Sequence, residues 1–355
     1  MSVEQIDIRQ FRNLSKVQLN LHSGLNLFIG DNASGKTSFL EAIYLLGLSR
    51  SFRSRRLAYM AEKGADGFSI QARLSKADSL TRQSISFIYH QRKRRIKVNG
   101  EAIDKIADLA NLLPIQMINQ QGFDLVDQGP GHRRKFLDWG VFHVEHVFYP
   151  HWQHYMRALK QRNAGLRQKQ TDLQYWEHEM SLAATEIHQF RERYVEQLKP
   201  ILQKSIKYML GSVDIALEYR PGWDITEPLK SVLAQQRSKE LKIGHTRHGP
   251  QRADLFFNID GIAAHERLSR GQQKLFVSAL ILAQTQLMMQ SSNQPCTLLI
   301  DDIAAELDEY HRSRLMHALI KTGAQLFVTA TSKAQVPDLT KIEHSMFHVE
   351  HGTIS

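Results

Sequence analysis

A glycine-rich segment near the start of the chain has the residue types and spacing of a phosphate-binding loop. Two glycines separated by four residues precede a lysine and a threonine in Gly30-Asp-Asn-Ala-Ser-Gly-Lys-Thr37. Glycines allow backbone N–H groups to wrap around phosphate oxygens, and a helix that starts here adds a favourable dipole. Lys36 is expected to reach the β- and γ-phosphate oxygens, and Thr37 to ligate Mg²⁺. The sequence therefore predicts nucleotide binding by Gly30, Asp31, Asn32, Ala33, Ser34, Gly35, Lys36 and Thr37.

A second segment supplies the acids that such a loop needs for chemistry. The apolar run Thr297-Leu-Leu-Ile300 ends in Asp301 and Asp302. Asp301 is expected to hold the magnesium through water, and Asp302 to polarise the attacking water as a general base. Aspartate is shorter than the glutamate that is usual at this position, so we expect slow hydrolysis.

A third segment, Leu268-Ser-Arg-Gly-Gln272, matches the ABC-type signature. Ser269, Gly271 and Gln272 open a predicted helix, whose N-terminus suits an anion. Because the first loop already forms one complete phosphate cradle, this second cradle must serve another nucleotide. In ABC-type ATPases it is offered to the γ-phosphate bound by the other subunit. The sequence therefore predicts a homodimer that ATP holds together.

The elements that position these residues alternate as they do in a parallel sheet with crossover helices. A buried strand, Leu25-Asn-Leu-Phe-Ile29, leads into the glycine loop, and Thr297-Leu-Leu-Ile300 reads as another strand. Between them, apolar residues recur at helical spacing from Pro150 onward and predict an antiparallel helical hairpin, with a coiled coil as the alternative. A separate helix is expected from Pro200 to Gly211. The predicted fold is an α/β ABC-type P-loop ATPase head, residues 1–130 and 245–355, with an inserted helical arm, residues 131–244.

Charge indicates a polyanionic partner. The 355 residues carry a formal net charge of +10, which favours nucleic acid or an anionic membrane surface. Two basic clusters, residues 50–56 and 92–97, are candidates for contacts to DNA phosphates, although either could be an ordinary solvated face. One cysteine, Cys296, cannot form an internal disulfide, and no apolar run is long enough to span a membrane. We therefore expect a cytoplasmic protein without a membrane partner.

Nearly the whole chain resembles the RecF family of bacterial recombination mediators, which are related to the SMC and Rad50 ATPases. The resemblance implies ATP and Mg²⁺ as cofactors, weak DNA-dependent ATPase activity and ATP-dependent dimerisation. It also implies work with RecO and RecR at gapped or single-strand/double-strand junction DNA, promotion of RecA loading and a part in the SOS response. Besides the three motifs above, the segments that carry it are Phe11-Arg-Asn-Leu14, Lys97-Val-Asn-Gly100, Arg133-Arg-Lys-Phe-Leu-Asp138, Lys160-Gln-Arg-Asn163, Gly249-Pro-Gln-Arg-Ala-Asp254 and Asp301-Asp-Ile-Ala-Ala-Glu-Leu-Asp308.

The same resemblance places Arg12 and Asn13 against the phosphates or ribose of the nucleotide, with a simple turn as the alternative. Ala330 stands where ABC-type ATPases have a switch histidine. Sensing of the γ-phosphate is therefore expected to rely on Thr329 or Thr331.

Other positions also depart from the family pattern. Gln120 and Gln121 are the candidates for the Q-loop, and Gln251 replaces a histidine before Arg252. The pentapeptide Phe-His-Val-Glu-His occurs twice, at residues 142–146 and 347–351. Its His and Glu side chains could bind a metal, but chance repetition is the better explanation because no flanking sequence is repeated.

Two other functions use a P-loop. A transporter ATPase would have the same motifs, yet the basic charge and the long helical insertion between loop and signature argue against it. A P-loop kinase for a small molecule would have no role for an ABC signature. Capture of a membrane-protein partner would support the first alternative, and metabolite phosphorylation that is lost in a P-loop mutant would support the second.

Overall fold

The computed structural model describes residues 1–76, 79–103, 105–119, 122, 124–211, 213–292 and 294–355. The chain divides into two compact units, Met1–Gly122 with Lys274–Ser355, and Phe123–Gln273. Within the described ranges, no helix is both long enough and apolar enough to cross a membrane.

The first unit contains a six-stranded sheet in the order β15-β14-β3-β13-β12-β8. Strands β8, β12, β13, β3 and β14 pair in parallel, and β15 pairs antiparallel with β14. All side chains of β12 and β13 are buried, as expected for a parallel sheet. The strands are β3 (Leu25–Ile29), β8 (Ile115–Ile118), β12 (Thr297–Ile300), β13 (Gln325–Ala330), β14 (His344–Glu350) and β15 (Thr353–Ile354).

A second, antiparallel sheet of the same unit has the order β2-β1-β4-β5-β6-β7. Its alternating sequence pattern is matched by one buried face and one exposed face. The strands are β1 (Ser2–Phe11), β2 (Leu14–Asn20), β4 (Gly67–Lys76), β5 (Ser79–His90), β6 (Lys93–Val98) and β7 (Glu101–Ala102).

Helix α1 (Lys36–Leu48) starts at the end of the glycine loop and is buried on nearly all sides. Phe39, Ile43 and Leu46 have no exposed surface, and they share one core with both sheets. A helix that is buried on most of its circumference is typical of such a central position. The loop at its N-terminus is therefore anchored to a core that both sheets share. The other helices here are α2 (Ile106–Leu112), α10 (Glu309–Lys321) and most of α9 (Arg270–Ser292).

The second unit is mainly helical. Helices α5 (Phe148–Arg167) and α6 (Gln174–Leu210) pack against each other, which confirms the predicted helical hairpin. A three-stranded antiparallel sheet, β11-β10-β9, accompanies them. The remaining elements are α3 (Asp124–Asp127), α4 (Pro130–Val144), β9 (Ala216–Arg220), α7 (Leu229–Ile243), β10 (Asp254–Ile259), β11 (Ile262–Ala263) and α8 (Ala264–Arg267).

The prediction of a separate helix from Pro200 to Gly211 is wrong, because Pro200 lies inside α6, which is a single helix of 37 residues. Proline removes one intrahelical hydrogen bond and crowds the preceding turn. Pro200 is exposed, so water can satisfy the carbonyl group that this bond leaves free. Buried apolar residues on both sides, such as Leu198 and Leu202, hold the helix in place.

Several of the segments that carry the family resemblance contribute buried ion pairs to the helical unit. The Arg162 guanidinium is fully buried and lies 3.0 Å from Glu177 and 2.6 Å from Glu240. Arg191, also fully buried, lies 2.7 Å from Asp138. Removal of one partner would leave an uncompensated buried charge, which typically costs about 3–5 kcal/mol. These segments therefore hold the helices together.

The observed boundaries of the two units differ from those that the sequence predicts. Residues 124–130 and 245–273 pack with the helical unit. One cause is that β10 pairs antiparallel with β9, which belongs to the insertion. Another is that Arg133 binds Asp254 through two hydrogen bonds of 2.8 Å.

Candidate functional site

The glycine loop lies at the carboxyl end of β3, between that strand and α1. Gly35 has φ +127° and Ala33 has φ +65°, so the loop turns through backbone conformations that favour glycine or short residues. A Cβ atom on Gly30 would lie 2.0 Å from the Val349 carbonyl oxygen. The parallel strands β8, β12 and β13 end at the same edge of the sheet, which is where ligands bind in open α/β sheets.

Lys36 points back across this loop. Its Nζ donates hydrogen bonds to the carbonyl oxygens of Gly30, at 2.5 Å, and Asp31, at 2.7 Å. Only 8% of the residue is exposed. Burial lowers the pKa of the Lys36 ammonium group, and nearby carboxylates, first among them Asp301, oppose this shift. The loop thus holds a cation at the position where phosphate oxygens would need one.

Asp301 and Thr37 meet at the edge of the sheet. The Thr37 hydroxyl donates to the Asp301 carboxylate at 3.0 Å, and the Thr329 hydroxyl donates to it at 2.9 Å. Burial raises the pKa of Asp301, and these two hydrogen bonds oppose that shift. A carboxylate beside a hydroxyl is the set of hard oxygen donors that Mg²⁺ prefers.

Asp302 follows with φ +55°, in the left-handed region that aspartate and asparagine tolerate better than most residues. Its backbone N–H donates to the Thr329 hydroxyl at 2.8 Å. The same hydroxyl therefore joins both acidic residues, a role that the sequence does not reveal. Thr331, the other candidate sensor, donates to the Gln335 side chain at 2.7 Å.

These residues line one cavity of about 770 Å³. Arg12 lies beside it and forms two hydrogen bonds with Glu41, at 2.7 and 3.0 Å, while Asn13 donates to the Ser34 carbonyl at 3.1 Å. Arg53 approaches the same Glu41 carboxylate at 3.4 Å. The cavity is lined by Arg12, Asn13, Asn32, Ala33, Gly35, Lys36, Thr37, Ser38, Phe52, Arg53, Tyr59, Ala61, Asn119, Asp301, Asp302, Thr329 and Thr331.

Lys274 is a residue of this region that the sequence did not single out. Its Nζ donates to the carbonyl oxygens of Asp302, at 3.2 Å, and Ala305. Burial lowers the pKa of Lys274, and Asp302 and Glu306 oppose the shift. Glu306, like Asp302, has a positive φ, of +64°. Lys274 therefore braces a strained loop that carries the proposed base.

The β14–β15 hairpin packs against the back of the glycine loop. Phe347 stacks on Phe28 at 4.9 Å, and the Gly352 N–H donates to the Ser34 carbonyl oxygen at 2.8 Å. Gly352 has φ +82°, and a Cβ atom there would lie 1.9 Å from the Asn13 carbonyl oxygen. The hairpin therefore contacts the loop and the strand that precedes it.

Gly352→Ala is expected to lower the affinity for ATP about tenfold and the free energy of unfolding by about 2–4 kcal/mol, because the new methyl group displaces the hairpin from the loop. Gly100→Ala is the matched control, since Gly100 also has a positive φ, of +85°, but nothing within 4 Å of the added atom. Equilibrium ATP binding and urea unfolding of both variants measure the effects. Equal ATP affinity in the two variants would show that the hairpin does not position the loop.

The signature residues lie in the second unit, where they form a capping box. The Gln272 side chain accepts from the Ser269 N–H at 2.9 Å, and the Ser269 hydroxyl faces the Gln272 N–H at 3.4 Å. Ser269 is thereby the N-cap of α9. Ser269 and Gln272 are exposed and Gly271 is partly exposed.

Two remaining predictions have different outcomes. Gln120 and Gln121 lie outside the described residues, whereas the neighbouring Asn119 lines the cavity. The first copy of the repeated pentapeptide falls at the end of α4 and the second lies in β14. Across the described ranges, no group of three or more His, Cys, Asp or Glu side chains is placed to hold a metal ion.

The whole chain matches known proteins. Residues 2–355 match the family described as RecF/RecN/SMC N terminal domain. The chain is 39% identical over 356 residues to the DNA replication and repair protein RecF of Vibrio campbellii, with 100% of both sequences covered. It is 41% identical over 360 residues to the protein of the same name from Pseudomonas aeruginosa strain LESB58, with 100% of this chain and 98% of the relative covered.

Solved structures agree with these sequence matches. The structure of the recombination mediator protein RecF with ATP, from the RecFOR pathway, superposes with a TM-score of 0.86 at 26% identity, covering 100% of this chain and 97% of that one. An SMC head bound to the C-winged helix domain of ScpA gives a TM-score of 0.64 at 14% identity, covering 100% and 96%, which supports the fold alone. The predicted fold class is confirmed, and the chain belongs to the RecF family of DNA replication and repair proteins.

Proposed function

We propose that this protein is an ATP-dependent DNA-binding protein of recombinational repair, in which ATP closes a homodimer on DNA and slow hydrolysis releases it. The observation that carries the proposal is the convergence of Lys36, Thr37, Asp301 and Asp302 on one cavity. Family membership supports the same role, since its relatives are named DNA replication and repair proteins.

The residues at the cavity fit a nucleotide with magnesium. Backbone N–H groups of the loop and the start of α1 would bind the phosphates, and Lys36 would move from its two carbonyl acceptors to the β- and γ-phosphate oxygens. Thr37 and Asp301 would hold Mg²⁺, which neutralises phosphate charge when bound. Arg12 and Asn13 would contact the phosphates or ribose.

Hydrolysis would use Asp302 as the base. Its carboxylate lines the cavity and forms no hydrogen bond with the described residues, so it is available to accept a proton from water. Thr329 and Lys274 would position it, because both bind its backbone. We propose a weak, DNA-dependent ATPase activity, in which turnover resets a binding switch.

Dimerisation would use the signature of a second copy. Ser269, Gly271 and Gln272 would bind the γ-phosphate held by the partner's loop, so ATP would complete two equivalent interfaces by two-fold symmetry. The exposed capping box supports this role, because its two hydrogen bonds fix the backbone at the start of α9. ADP lacks the γ-phosphate and would leave the dimer open.

The DNA and protein partners follow from the family. We propose binding at gapped DNA and single-strand/double-strand junctions, and action with RecO and RecR in promoting RecA loading and the SOS response. A relative of known structure is described as part of the RecFOR pathway, which supports this set of partners.

DNA binding that depends on both ATP and salt tests the proposal. We expect ATP, but not ADP, to tighten binding to a labelled duplex, and about six phosphate contacts would weaken it roughly 10³-fold between 50 and 200 mM salt. Fluorescence anisotropy across a salt series, with several duplexes of equal length and unrelated sequence, measures both effects. A flat salt response, or a strong preference for one sequence, would contradict the proposal.

A further inference from the structure

The exposed face of the antiparallel sheet carries mainly positive charge, with seven Lys or Arg residues and one Asp. Its side chains alternate with the buried ones along each strand, and we call this set the outer face. It consists of Gln5, Asp7, Arg9, Lys16, Gln18, Asn20, Ser69, Gln71, Arg73, Ser75, Arg82, Ser84, Ser86, Ile88, His90, Lys93, Arg95 and Lys97.

The charges on the outer face are only partly neutralised. Arg9 pairs with Asp7 at 3.0 Å, and Arg82 pairs at 3.1 Å with Glu4, which lies beside a bulge in β1. The other basic side chains form no ion pair with any described residue and point to solvent: Lys16, Arg73, Lys93, Arg95 and Lys97. A surface with this much uncompensated positive charge favours a polyanion.

Strand register places basic residues in two flanks, on β6 and on β1 with β2, and uncharged residues of β4 and β5 form a floor between them in two adjacent lines across the sheet. Arg73 of β4 and Arg82 of β5 lie further along these strands. One line across the sheet runs Arg95, Ile88, Ser69, Arg9 and Lys16 in adjacent positions. Because neighbouring strands lie about 4.8 Å apart, Arg95 and Arg9 are separated by roughly 14 Å. The major groove of B-DNA is about 12 Å wide between its phosphate backbones. The two flanks are therefore spaced to meet both backbones.

The floor between the flanks is uncharged, with Ser69 and Ile88 in the first line and Ser86 and Gln71 in the second, and two of these four side chains are short serines. The next line across the sheet reads Lys97, Ser86, Gln71, Asp7 and Gln18. Side chains of this length let a bulky polymer approach the sheet, and they offer hydrogen bonds without reading a base sequence. An anionic membrane is a poorer fit, because stable binding to a bilayer surface needs apolar side chains that insert, and Ile88 is the single apolar residue of the outer face.

We propose that the outer face binds the phosphate backbones of double-stranded DNA, with the β6 residues Lys93, Arg95 and Lys97 on one flank, Arg9 and Lys16 on the other, and Arg73 of β4 further along the same face. This inference rests on the proposed function and names the surface through which it acts. The opposite face of the same sheet belongs to the core that buries α1, the helix that begins at Lys36. Bound DNA would therefore press on the layer that supports the nucleotide loop.

The test compares two triple variants that remove the same charge. Lys93→Gln, Arg95→Gln and Lys97→Gln neutralise one flank, while Lys321→Gln, Lys333→Gln and Lys341→Gln neutralise three exposed lysines elsewhere in the same unit. With ATP present, we expect the flank variant to bind duplex DNA at least about tenfold more weakly than the parent. Its log-log salt slope should be shallower by about 0.9 for each lost contact, while the control variant should bind like the parent.

Two further measurements complete the test. ATP binding by the flank variant should equal that of the parent, and stimulation of ATP turnover by DNA should be lost. Ser86→Glu, which places a carboxylate in the floor, should weaken DNA binding without removing any cation. Three results would overturn this proposal. They are an equal loss of DNA binding in both triple variants, DNA binding by the flank variant that equals that of the parent, and a flank variant that loses binding to anionic vesicles but not to DNA. Failure of the parent to bind DNA would overturn the proposed function and this inference with it.

Discussion

Replacing Lys36 with Ala is expected to weaken ATP binding by about two orders of magnitude. Hydrogen bonds to charged groups contribute about 1.5–3 kcal/mol each, and Lys36 is the cation that the loop holds ready for the β- and γ-phosphates. Only 8% of Lys36 is exposed, and burial lowers the pKa of its ammonium group. Little further desolvation is then required when phosphate replaces the two carbonyl acceptors, so most of the interaction energy remains available for binding.

Thermal unfolding with and without ATP separates this effect from damage to the fold. Ligand that binds only the folded state raises stability by RT ln(1 + [L]/Kd), so a hundredfold higher Kd removes about 2.7 kcal/mol of ATP stabilisation under saturating conditions. Lys333→Ala, at an exposed position, should retain the full ATP-induced shift in Tm. A parental shift in Lys36→Ala would show that the loop does not bind the triphosphate.

Features that depend on adjacent residues could be predicted from the sequence. The order of strand, glycine loop and helix is local, and the structure has the same order at β3, residues 30–35 and α1. Asp301 was predicted at a strand end because an apolar run stops there, and parallel pairing then brings it to Thr37. Hydrophobic pattern and motif spacing thus determine the main positions of the site.

Features that depend on distant partners could not be predicted. Glu41 reads as an ordinary helix residue, yet it is fully buried because Arg12, 29 residues earlier, binds its carboxylate. In the sequence, Lys274 is a polar residue that follows the signature without a predicted role. In the structure its ammonium group donates hydrogen bonds to carbonyl oxygens of the loop after β12. A buried charged residue cannot be recognised from the spacing of apolar residues in the sequence, since its burial depends on a partner elsewhere in the fold.

The helical unit shows the same limit. The hairpin was predictable from apolar residues three and four apart, whereas the passage of α6 through Pro200 depends on which side of the helix faces solvent. The boundary between the two units was predicted near residue 245 because the sequence returns there to alternating strands and helices. Pairing of β10 with β9 joins segments more than 30 residues apart, and such pairing is set by tertiary contacts.

Asp302→Asn is expected to lower ATP turnover by about 10²–10⁴-fold while ATP still closes the dimer. An amide cannot accept the proton from water, but it has nearly the same size as the carboxylate. Asparagine also tolerates the left-handed conformation that residue 302 adopts at φ +55°, so the loop held by Thr329 and Lys274 should persist. The ATP-bound dimer should therefore accumulate and remain longer on DNA.

Ser269→Asp is expected to prevent the same dimer. Aspartate is as good an N-cap as serine, so the start of α9 should be preserved, but its carboxylate would face the γ-phosphate of the partner's nucleotide. Ser269→Asn is the matched control, because it keeps the cap without the charge and should still dimerise with ATP. Sedimentation of the three variants with ATP, with ADP and without nucleotide distinguishes these states. Two results would refute closure of the dimer by ATP. One is an Asp302→Asn variant that stays monomeric in saturating ATP, with and without DNA, and the other is a Ser269→Asp variant that dimerises like the parent. Either result would mean that the γ-phosphate does not hold the interface together.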